Sequence, residues 1–341
     1  MVHRSHMAQI PRDGGQASTS SRGRGRRHRY HRRVLTDGRS ALFARLIDYA
    51  GIFPPATLSM DAAVDEYRQI RTGPRAVMVG RFVCSTSRLL DLATTLTRTM
   101  RSGDDPWPLC VVFDQPPSTA ASTAQAFAAE MSGAAAVELV EARIAVEEVT
   151  AAPVTVNRLV DACGAVGPTT SVFIELPFTD ATAESIDALD VIRTANRERP
   201  RTVGVKIRCG PTVSAIPSVE VVASVIEWSA RTRVPLKATA GLHHPVRTFN
   251  RDLGVHEHGF LNLLAALALA EEHGLDAERI AEIVGDTDSA SFRLRAGGLD
   301  WRSLRAGTGT LLRMRSELFP GFGSCSFDEP VDALADLGLL P

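Results

Sequence analysis

The chain has 341 residues, of which 44% are hydrophobic and 23% are charged, and its net charge of −1 suits one large globular domain or two small ones. It contains no apolar run of about 18 residues and no leader-like start, which argues against a transmembrane helix and a secretory signal. Five widely spaced cysteines without CxxC spacing argue against a disulfide framework or a zinc site, so we expect a cytoplasmic protein that works without metal or cofactor.

Residues 1–36 form a basic segment that differs from the rest of the chain. The first 33 residues hold nine arginines and one acid, so they carry +8 and the remainder carries −9. Their run SRGRGRRHRYHRR has no apolar periodicity, which predicts a disordered tail. The opening MVHRSHM resembles residues contributed by an expression vector. Clustered arginine binds phosphate backbones, so a nucleic-acid arm is an alternative, although a solvated charge run is the commoner case.

From residue 37 to residue 341, short apolar runs rich in β-branched residues alternate with amphipathic segments. In chain order, the predicted strands are 46–53, 76–84, 108–114, 136–144, 171–177, 202–209, 234–241 and 322–327. Strands that alternate with helices imply parallel βαβ units, and eight of them in roughly 300 residues predict a (β/α)8 TIM barrel. An open doubly wound sheet is the alternative, but no GxGxxG follows the first strand.

The last two predicted strands are separated by an insertion at 242–321. This segment includes the apolar run GFLNLLAALALAEEHG. We expect a helical insertion that forms a cap or lid over the barrel mouth. The domain prediction is therefore a basic tail at 1–36 and a barrel domain at 37–341 that carries this insertion.

Strand parity predicts which side chains point into the barrel, since they alternate between the interior and the helix layer. In VGVKIRCG the valines and the isoleucine suit the helix layer, which turns Lys206 and Arg208 inward. The same parity turns Lys237 and Thr239 inward in PLKATAG. Other charged residues directed to the same end are Asp48, Arg81, Asp114, Glu141, Arg143 and Glu175. Active sites of such barrels lie at the C-terminal strand ends, although ion pairing alone is the alternative for these charges.

Lys206 and Lys237 are the only lysines in the chain, and the other 36 basic residues are arginine. Arginine pairs with carboxylates at least as well as lysine, but it cannot supply an uncharged amine near neutral pH. A buried lysine beside another cation can lose its proton and attack a carbonyl carbon to form a Schiff base. Two lysines on adjacent strands, near their C-terminal ends, therefore predict a nucleophilic site. General depletion of lysine in a high-GC genome is the alternative explanation.

The order of these motifs resembles the class I deoxyribose-phosphate aldolase family (the DeoC type) through most of the barrel. LIDYAGIFPPATLSMDAAVDEYRQI is similar to the family's first strand and helix, AVMVGRFVCS to its second strand, FIELP to its fifth and FGSCS to its phosphate-binding eighth. GVKIRCG matches the position of the sixth-strand lysine that forms the Schiff base. PLKATAG matches that of the seventh-strand lysine that lowers the pKa of the first.

The resemblance implies that Lys206 is the nucleophile and that Lys237 lowers its pKa, with the reverse roles left open. Two ammonium groups about 4 Å apart interact by roughly 4 kcal/mol at an effective dielectric near 20, equivalent to a pKa change of about three. Glu141 or Asp48 is the expected proton carrier, and Glu175 is the inward acid of the fifth strand. Glu141 stands where the family carries an aspartate.

Departures from the family pattern concern the substrate. Arg208 stands where the family has small hydroxylated residues, and its fixed cation suits a carboxylate or a phosphate. The residues expected to bind substrate are Arg81, Asp114, Arg143, Arg208, Thr239, Gly241, His243, His244, Gly323, Ser324 and Ser326. A metal held by the histidines together with His256 or His258 is an alternative, but adjacent histidines on a strand or turn point apart, so we expect none.

We therefore expect a class I aldolase-like lyase that acts on a small oxo compound carrying a phosphate or a carboxylate. One alternative is an isomerase or decarboxylase in which the lysines stabilise an enolate or bind an anion without a Schiff base. Another is an inactive barrel that serves as a binding or scaffold protein, in which Lys206→Arg would keep function. We expect no membrane or nucleic-acid partner, and a homodimer stays open.

Overall fold

The computed structural model of this protein describes residues 37–101, 103–144, 152–178, 183–210 and 212–340. The described chain belongs to one compact unit, Leu35–Pro341. The basic tail predicted at 1–36 lies outside the described residues, so its disorder and any binding to nucleic acid stay predictions.

A closed barrel of eight parallel strands is the centre of the described chain. The strands of the whole described chain are β1 (Ile47–Tyr49), β2 (Val79–Ser85), β3 (Trp107–Val112), β4 (Ala135–Arg143), β5 (Ser171–Glu175), β6 (Val203–Arg208), β7 (Leu236–Thr239), β8 (Thr248–Asn250), β9 (Val255–Glu257), β10 (Phe292–Arg295), β11 (Gly298–Trp301), β12 (Leu304–Gly307) and β13 (Phe322–Ser324). The barrel order is β1 to β7 followed by β13, which pairs with β1 and closes the sheet. The predicted (β/α)8 fold is confirmed, and each predicted run overlaps one barrel strand.

Helices cover the outside of the barrel. In chain order the described helices are α1 (Gly38–Phe43), α2 (Met60–Thr72), α3 (Leu89–Thr99), α4 (Pro117–Glu130), α5 (Ala152–Gly164), α6 (Ala183–Glu198), α7 (Val219–Thr232), α8 (Phe260–His273), α9 (Ala277–Gly285), α10 (Thr308–Arg313) and α11 (Asp328–Asp336). Side-chain caps start several of them: Ser59 accepts from the Ala62 N–H, and Ser218 accepts from the Val221 N–H. These caps fix where the chain leaves a loop and turns back along the barrel.

Two apolar regions result from the alternation of side chains along the strands. The larger one lies between the strands and the helices. The smaller one fills part of the barrel interior and consists of Ala50, Val83, Cys110, Leu139 and Phe173. Gly204 belongs to the same interior, and a Cβ there would meet the Phe173 ring and the Pro235 carbonyl oxygen. The absence of a side chain at Gly204 therefore leaves room for the Phe173 ring inside the barrel.

The insertion at 242–321 contains strands as well as the helices α8, α9 and α10 that were expected. It begins with the hairpin of β8 and β9, and it includes an antiparallel sheet in the order β10, β11, β12. The helical description of this segment was therefore incomplete. In β10 the buried Phe292 and Leu294 alternate with the exposed Arg293 and Arg295, which is the period of a half-buried strand.

Most of the insertion packs on the outside of the barrel. The helix α8 is buried and packs against α7, α9 and β12. The three-stranded sheet packs against α1, where the Gly38 N–H donates to the Ala296 carbonyl oxygen at 2.8 Å. Leu242 and His243 are the residues of this segment that line the pocket described below. The role of a lid therefore stays a prediction that concerns this short stretch.

One stretch, Val213–Thr232, is long and apolar enough to cross a membrane by length and composition alone. This stretch was not predicted from the sequence, in which we found no apolar run of about 18 residues. In the structure its second part is α7, which packs against α8 and α9 in the helix layer around the barrel. The cytoplasmic location stays a prediction.

Candidate active site

A pocket of about 230 Å³ opens at the C-terminal ends of the barrel strands. Lys206 and Glu141 lie at its base. Its walls come from the 53–55 turn after β1, from 239–243 at the end of β7 and from 323–325 on β13. Active sites of (β/α)8 barrels lie at this end, so the pocket coincides with the region in which the sequence placed the chemistry.

Charges of alternating sign form a chain through the barrel interior to this pocket, and its five internal members are buried. In order, the chain is Arg81, Asp48, Lys237, Glu141, Lys206, Glu175 and Arg208. The successive N–O distances are 3.4, 2.8, 2.9, 2.5, 2.9 and 2.8 Å. Each internal member has an opposite charge on both sides, which offsets the cost of removing it from water.

Lys206 is held at the base of the pocket by two carboxylates. Its Nζ lies 2.5 Å from Glu141 Oε2 and 2.9 Å from Glu175 Oε2. Burial lowers the pKa of its ammonium group, but the attraction of the two carboxylates outweighs burial, so the pKa is raised above its ordinary value. In the resting protein, Lys206 is therefore a protonated amine at the pocket surface.

Lys237 lies behind Lys206. The two residues are register partners on β7 and β6, and their Nζ atoms contact the two different oxygens of the Glu141 carboxylate. Lys237 is fully buried and does not line the pocket. Burial lowers its pKa, but Asp48 and Glu141 raise it by more.

The expected effect of Lys237 on the pKa of Lys206 is present, but it is not the dominant one. The charge of Lys237 does act to lower it, but Glu141 and Glu175 act more strongly in the opposite direction. The physical reason is the carboxylate of Glu141, which lies between the two ammonium groups and attracts both.

Three carboxylates supply the negative charges of the chain. Burial raises the pKa of Asp48, Glu141 and Glu175, but the neighbouring cations outweigh burial and lower all three below their ordinary values. Asp48 is fully buried, contacts Lys237 and accepts from the Arg81 backbone N–H at 2.8 Å. Of the two predicted proton carriers, Glu141 lines the pocket and Asp48 does not.

Arg208 is the predicted anion-binding residue that lies closest in the chain of charges to Lys206. Its Nε donates to Glu175 Oε1 at 2.8 Å, and its Nη2 donates to Oε2 at 3.3 Å. The Arg208 side chain is 34% exposed and lines the pocket together with Thr239, its register partner. Arg143 lies at the outer side of Glu175, at 3.6 Å, with a side chain that is 59% exposed and not part of the pocket lining.

Arg81 and Asp114 do not line the pocket, contrary to the prediction. Arg81 pairs with Asp48 and Glu138, and it lines a separate cleft with residues such as Ser171, the first residue of β5. It therefore faces the N-terminal side of the barrel. Asp114 follows the end of β3 and accepts from the Thr86 hydroxyl at 2.6 Å, which ties together the loops after β2 and β3.

The histidines are dispersed. His243 lines the pocket, and its Nδ1 lies 2.8 Å from Glu329 Oε2. His244 is exposed and outside the pocket lining, His256 lies on β9, and His258 is buried. Within the described part of the chain, no group of three histidine, cysteine or acidic side chains is placed to hold a metal ion.

The small residues of the predicted anion site divide into two groups. Gly241, Gly323 and Ser324 line the pocket, and Gly241 has a φ of +65°, which favours glycine. Ser326 does not line the pocket. Its hydroxyl accepts from the Glu329 N–H at 3.2 Å, which ties the loop after β13 to the first turn of α11.

Glu329 and the 53–55 turn were not predicted as parts of the site. Glu329 follows Ser326 by three residues, the spacing of a helix capping box, so the helix start was visible in the sequence. Its contact with His243 was not visible, since it joins residues that are 86 positions apart. The Pro54–Pro55 pair directly follows the first strand, and loops at this barrel end line active sites, which is a signal that could have placed it.

No protein-family model matches this chain, and no curated protein matches it. The resemblance to the deoxyribose-phosphate aldolase family therefore stays a prediction, and the geometry of the barrel and its pocket is the basis for a proposed function.

Proposed function

We propose that this protein is a carbon–carbon lyase of the Schiff-base type that acts on a small oxo compound with an anionic group. The observation that carries the proposal is the position of Lys206, an amine at the base of a pocket at the C-terminal barrel end and between two carboxylates. Of the two lysines, Lys206 lines the pocket, so we assign it as the nucleophile. Lys237 is a positioning residue, which acts through Glu141.

Conservation of charge supports an iminium ion at this position. A protonated amine and a carbonyl group combine with loss of water to give an iminium ion with the same single positive charge. The carboxylates of Glu141 and Glu175, which stabilise the resting ammonium group, therefore stabilise the iminium ion as well. The raised pKa of Lys206 slows the attack, which needs the neutral amine, but it does not destabilise the intermediate.

Glu141 is placed to carry the protons of this reaction, because it contacts Lys206 and lines the pocket. It accepts the ammonium proton before the attack and returns it to the hydroxyl group that leaves as water. When the carbon–carbon bond breaks, its electron pair moves towards the iminium nitrogen and leaves an enamine. Glu141 then takes the proton of the substrate hydroxyl group as that group becomes a carbonyl.

Reduction with borohydride in the presence of small oxo compounds tests this proposal. We expect a reduced adduct on the peptide that contains Lys206, detected by mass spectrometry. Lys206→Arg keeps the charge between Glu141 and Glu175 but has no nucleophilic amine, so we expect no adduct and at least about a thousandfold loss of turnover. Arg231→Gln, a change at an exposed arginine of α7, is the control and keeps both. Turnover of a compound without any reduced adduct on either lysine would contradict the proposal.

A second candidate is an isomerase or decarboxylase without a covalent intermediate. The observation that favours it is the position of Lys206 at the base of the pocket together with its raised pKa, since a permanent ammonium group can stabilise an enolate oxygen. It predicts that Lys206→Arg retains much of the activity and that borohydride traps nothing. The homodimer and the absence of membrane and nucleic-acid partners stay predictions.

A further inference from the structure

The nitrogen atoms of Lys206 and Arg208 are joined through one oxygen atom. Lys206 Nζ lies 2.9 Å from Glu175 Oε2, and Arg208 Nη2 lies 3.3 Å from the same oxygen. The distance between Lys206 Nζ and Arg208 Nη2 therefore cannot exceed the sum of these two distances, about 6 Å. The guanidinium group of Arg208 is therefore a close neighbour of any carbon atom bonded to Lys206 Nζ.

This spacing favours an anionic group attached directly to the carbonyl carbon. The carbonyl carbon of a Schiff base is one bond from Nζ, and the oxygens of a carboxylate on that carbon are two bonds further. Such oxygens can therefore come within hydrogen-bond range of the guanidinium group, roughly 2.7–3.2 Å between N and O. A phosphate on a carbon farther along the substrate would extend past Arg208 towards the mouth of the pocket.

Arg208 has donors left for such a group. Its hydrogen bonds to Glu175 use Nε and Nη2, while an arginine side chain carries five N–H donors. The side chain is part of the pocket lining and 34% exposed. Glu175 holds the guanidinium plane in place, so its remaining donors are pre-positioned for a planar carboxylate.

The charge and size of the pocket agree with a small monoanion. Its charged lining residues are Glu141, Lys206 and Arg208, which sum to +1 when His243 is neutral. One carboxylate neutralises this charge. The volume of about 230 Å³ is below the roughly 300–1,000 Å³ of pockets for drug-sized ligands, so the ligand has few heavy atoms.

We propose that the substrate of this site is a 2-oxo acid whose carboxylate binds Arg208 and whose oxo carbon reacts with Lys206. The proposal rests on the proposed function and names its substrate class. The bond that breaks joins C3 and C4 of a 4-hydroxy-2-oxo acid. The C4 hydroxyl proton passes to Glu141, the C3–C4 electron pair forms the enamine, and an aldehyde leaves. Protonation of C3 and addition of water then release the shorter 2-oxo acid and the free amine, so the reaction needs no oxidant or reductant.

Borohydride trapping with matched probes tests this proposal on the full-length protein. Pyruvate carries the carboxylate, methyl pyruvate lacks its charge, and acetaldehyde and dihydroxyacetone phosphate represent other oxo compounds. We expect pyruvate to give half-maximal adduct on Lys206 at a concentration at least about tenfold below that of methyl pyruvate. In Arg208→Gln we expect this concentration to rise roughly ten- to a hundredfold for pyruvate and to stay unchanged for methyl pyruvate.

Two controls keep the result interpretable. Arg208→Lys keeps the charge but loses the planar fork, so we expect an intermediate effect, and this variant guards against a folding defect of Arg208→Gln. Arg231→Gln leaves pyruvate trapping unchanged. Trapping on Lys206 by acetaldehyde or dihydroxyacetone phosphate but not by pyruvate, or trapping of pyruvate that does not depend on Arg208, overturns the substrate class and leaves the proposed function standing. Turnover of an oxo compound without an adduct on either lysine overturns the proposed function itself.

Discussion

At the scale of single residues, Glu141 and Glu175 determine the protonation state of Lys206. Both oppose the effect of burial, and the pKa of the amine is raised as a result. A buried cation that is paired on two sides stabilises the barrel, and arginine would supply the same charge with more donors. A lysine at this position, where arginine would suffice for pairing, is what the proposed Schiff-base reaction predicts.

The raised pKa of Lys206 predicts a rate of adduct formation that increases with pH. A raised pKa keeps the amine protonated at neutral pH. As the pH rises towards that pKa, the neutral fraction increases about tenfold per pH unit. We expect the trapping rate, measured by intact mass at fixed probe concentration, to rise about tenfold per unit between about pH 7 and 9. Glu175→Gln removes one of the carboxylates that raise the pKa, so its profile shifts to lower pH. A rate that is already constant at pH 7 would mean that the resting amine is neutral.

At the scale of strands, parity predicted whether a side chain faces the barrel interior or the helix layer, but not its position along the barrel axis. Lys206, Lys237 and Glu141 meet because each stands at a similar height on its strand. Arg81 and Asp114 were assigned to the pocket by the same parity and lie elsewhere. The position of a residue along the barrel axis depends on the tilt and stagger of the strands. These are set by the closure of the whole barrel and cannot be derived from the sequence of a single strand.

The insertion shows the same limit for short elements. Its strands β10, β11 and β12 have four residues each, and their alternation was outweighed by the long apolar run of α8. The sequence FRLRAGGLDW does contain alternating apolar residues and a Gly-Gly turn, so the hairpin was readable. The packing of this sheet against α1 was not predictable from the sequence, because that contact joins the two ends of the barrel domain.

Asn262 on α8 joins three segments of the insertion, and its contacts predict that these segments stabilise the folded chain. It is fully buried, its Nδ2 donates to the Ile283 and Asp286 carbonyl oxygens at 2.8 Å each, and its Oδ1 accepts from the Arg247 N–H at 2.9 Å. Asn262→Leu leaves three backbone groups without this partner, two of them in buried hydrogen bonds, so we expect a loss of about 3 kcal/mol in the free energy of unfolding.

Urea unfolding measures this loss. Ser224→Ala, at an exposed position of α7, is the control and is expected to change the free energy of unfolding little. A loss for Asn262→Leu as small as that of the control, or a separate early transition, would show that the insertion does not contribute to the stability of the barrel.

At the scale of the molecule, the barrel interior is divided between an apolar cluster and a chain of charges. The apolar cluster includes Val83 and Leu139, whereas the chain crosses from Arg81 on the N-terminal side to Arg208 at the pocket. The fold itself was predictable, since eight alternating strands and helices have few ways to close. The order of the ion pairs was not predictable, because several pairings of the same inward-facing charges agree equally well with the alternation of side chains along the strands.

The chain of charges predicts a stability plateau with two limits in pH. The pKa values of Asp48, Glu141 and Glu175 are lowered by folding, so their contribution is present above the unfolded values near 4 and is lost as pH falls through the folded ones. The pKa values of Lys206 and Lys237 are raised, so their contribution is present below about 10.4 and is lost as pH rises.

Urea midpoints measured across pH test this plateau. We expect nearly constant stability from about pH 6.5 to 8.5 and a decline on each side, because burial lowers the pKa of His258 to about 4 and raises the pKa values of Cys84, Cys110, Cys163 and Cys209. A maximum of stability below about pH 4 would contradict the pairing, because the carboxylates would then stabilise the fold in their protonated form.

The two lysines have a practical consequence for chemical labelling. Both are buried, and Lys206 alone reaches the pocket, so a reagent for amines meets one side-chain target in the folded protein, through the substrate entrance. The number of acyl groups bound per chain, beyond the one on the amino terminus, then gives the fraction of chains in which the reagent has reached Lys206. A protease that cuts after lysine will likewise distinguish the folded chain from an unfolded one, since its two cleavage sites are exposed only when the barrel opens.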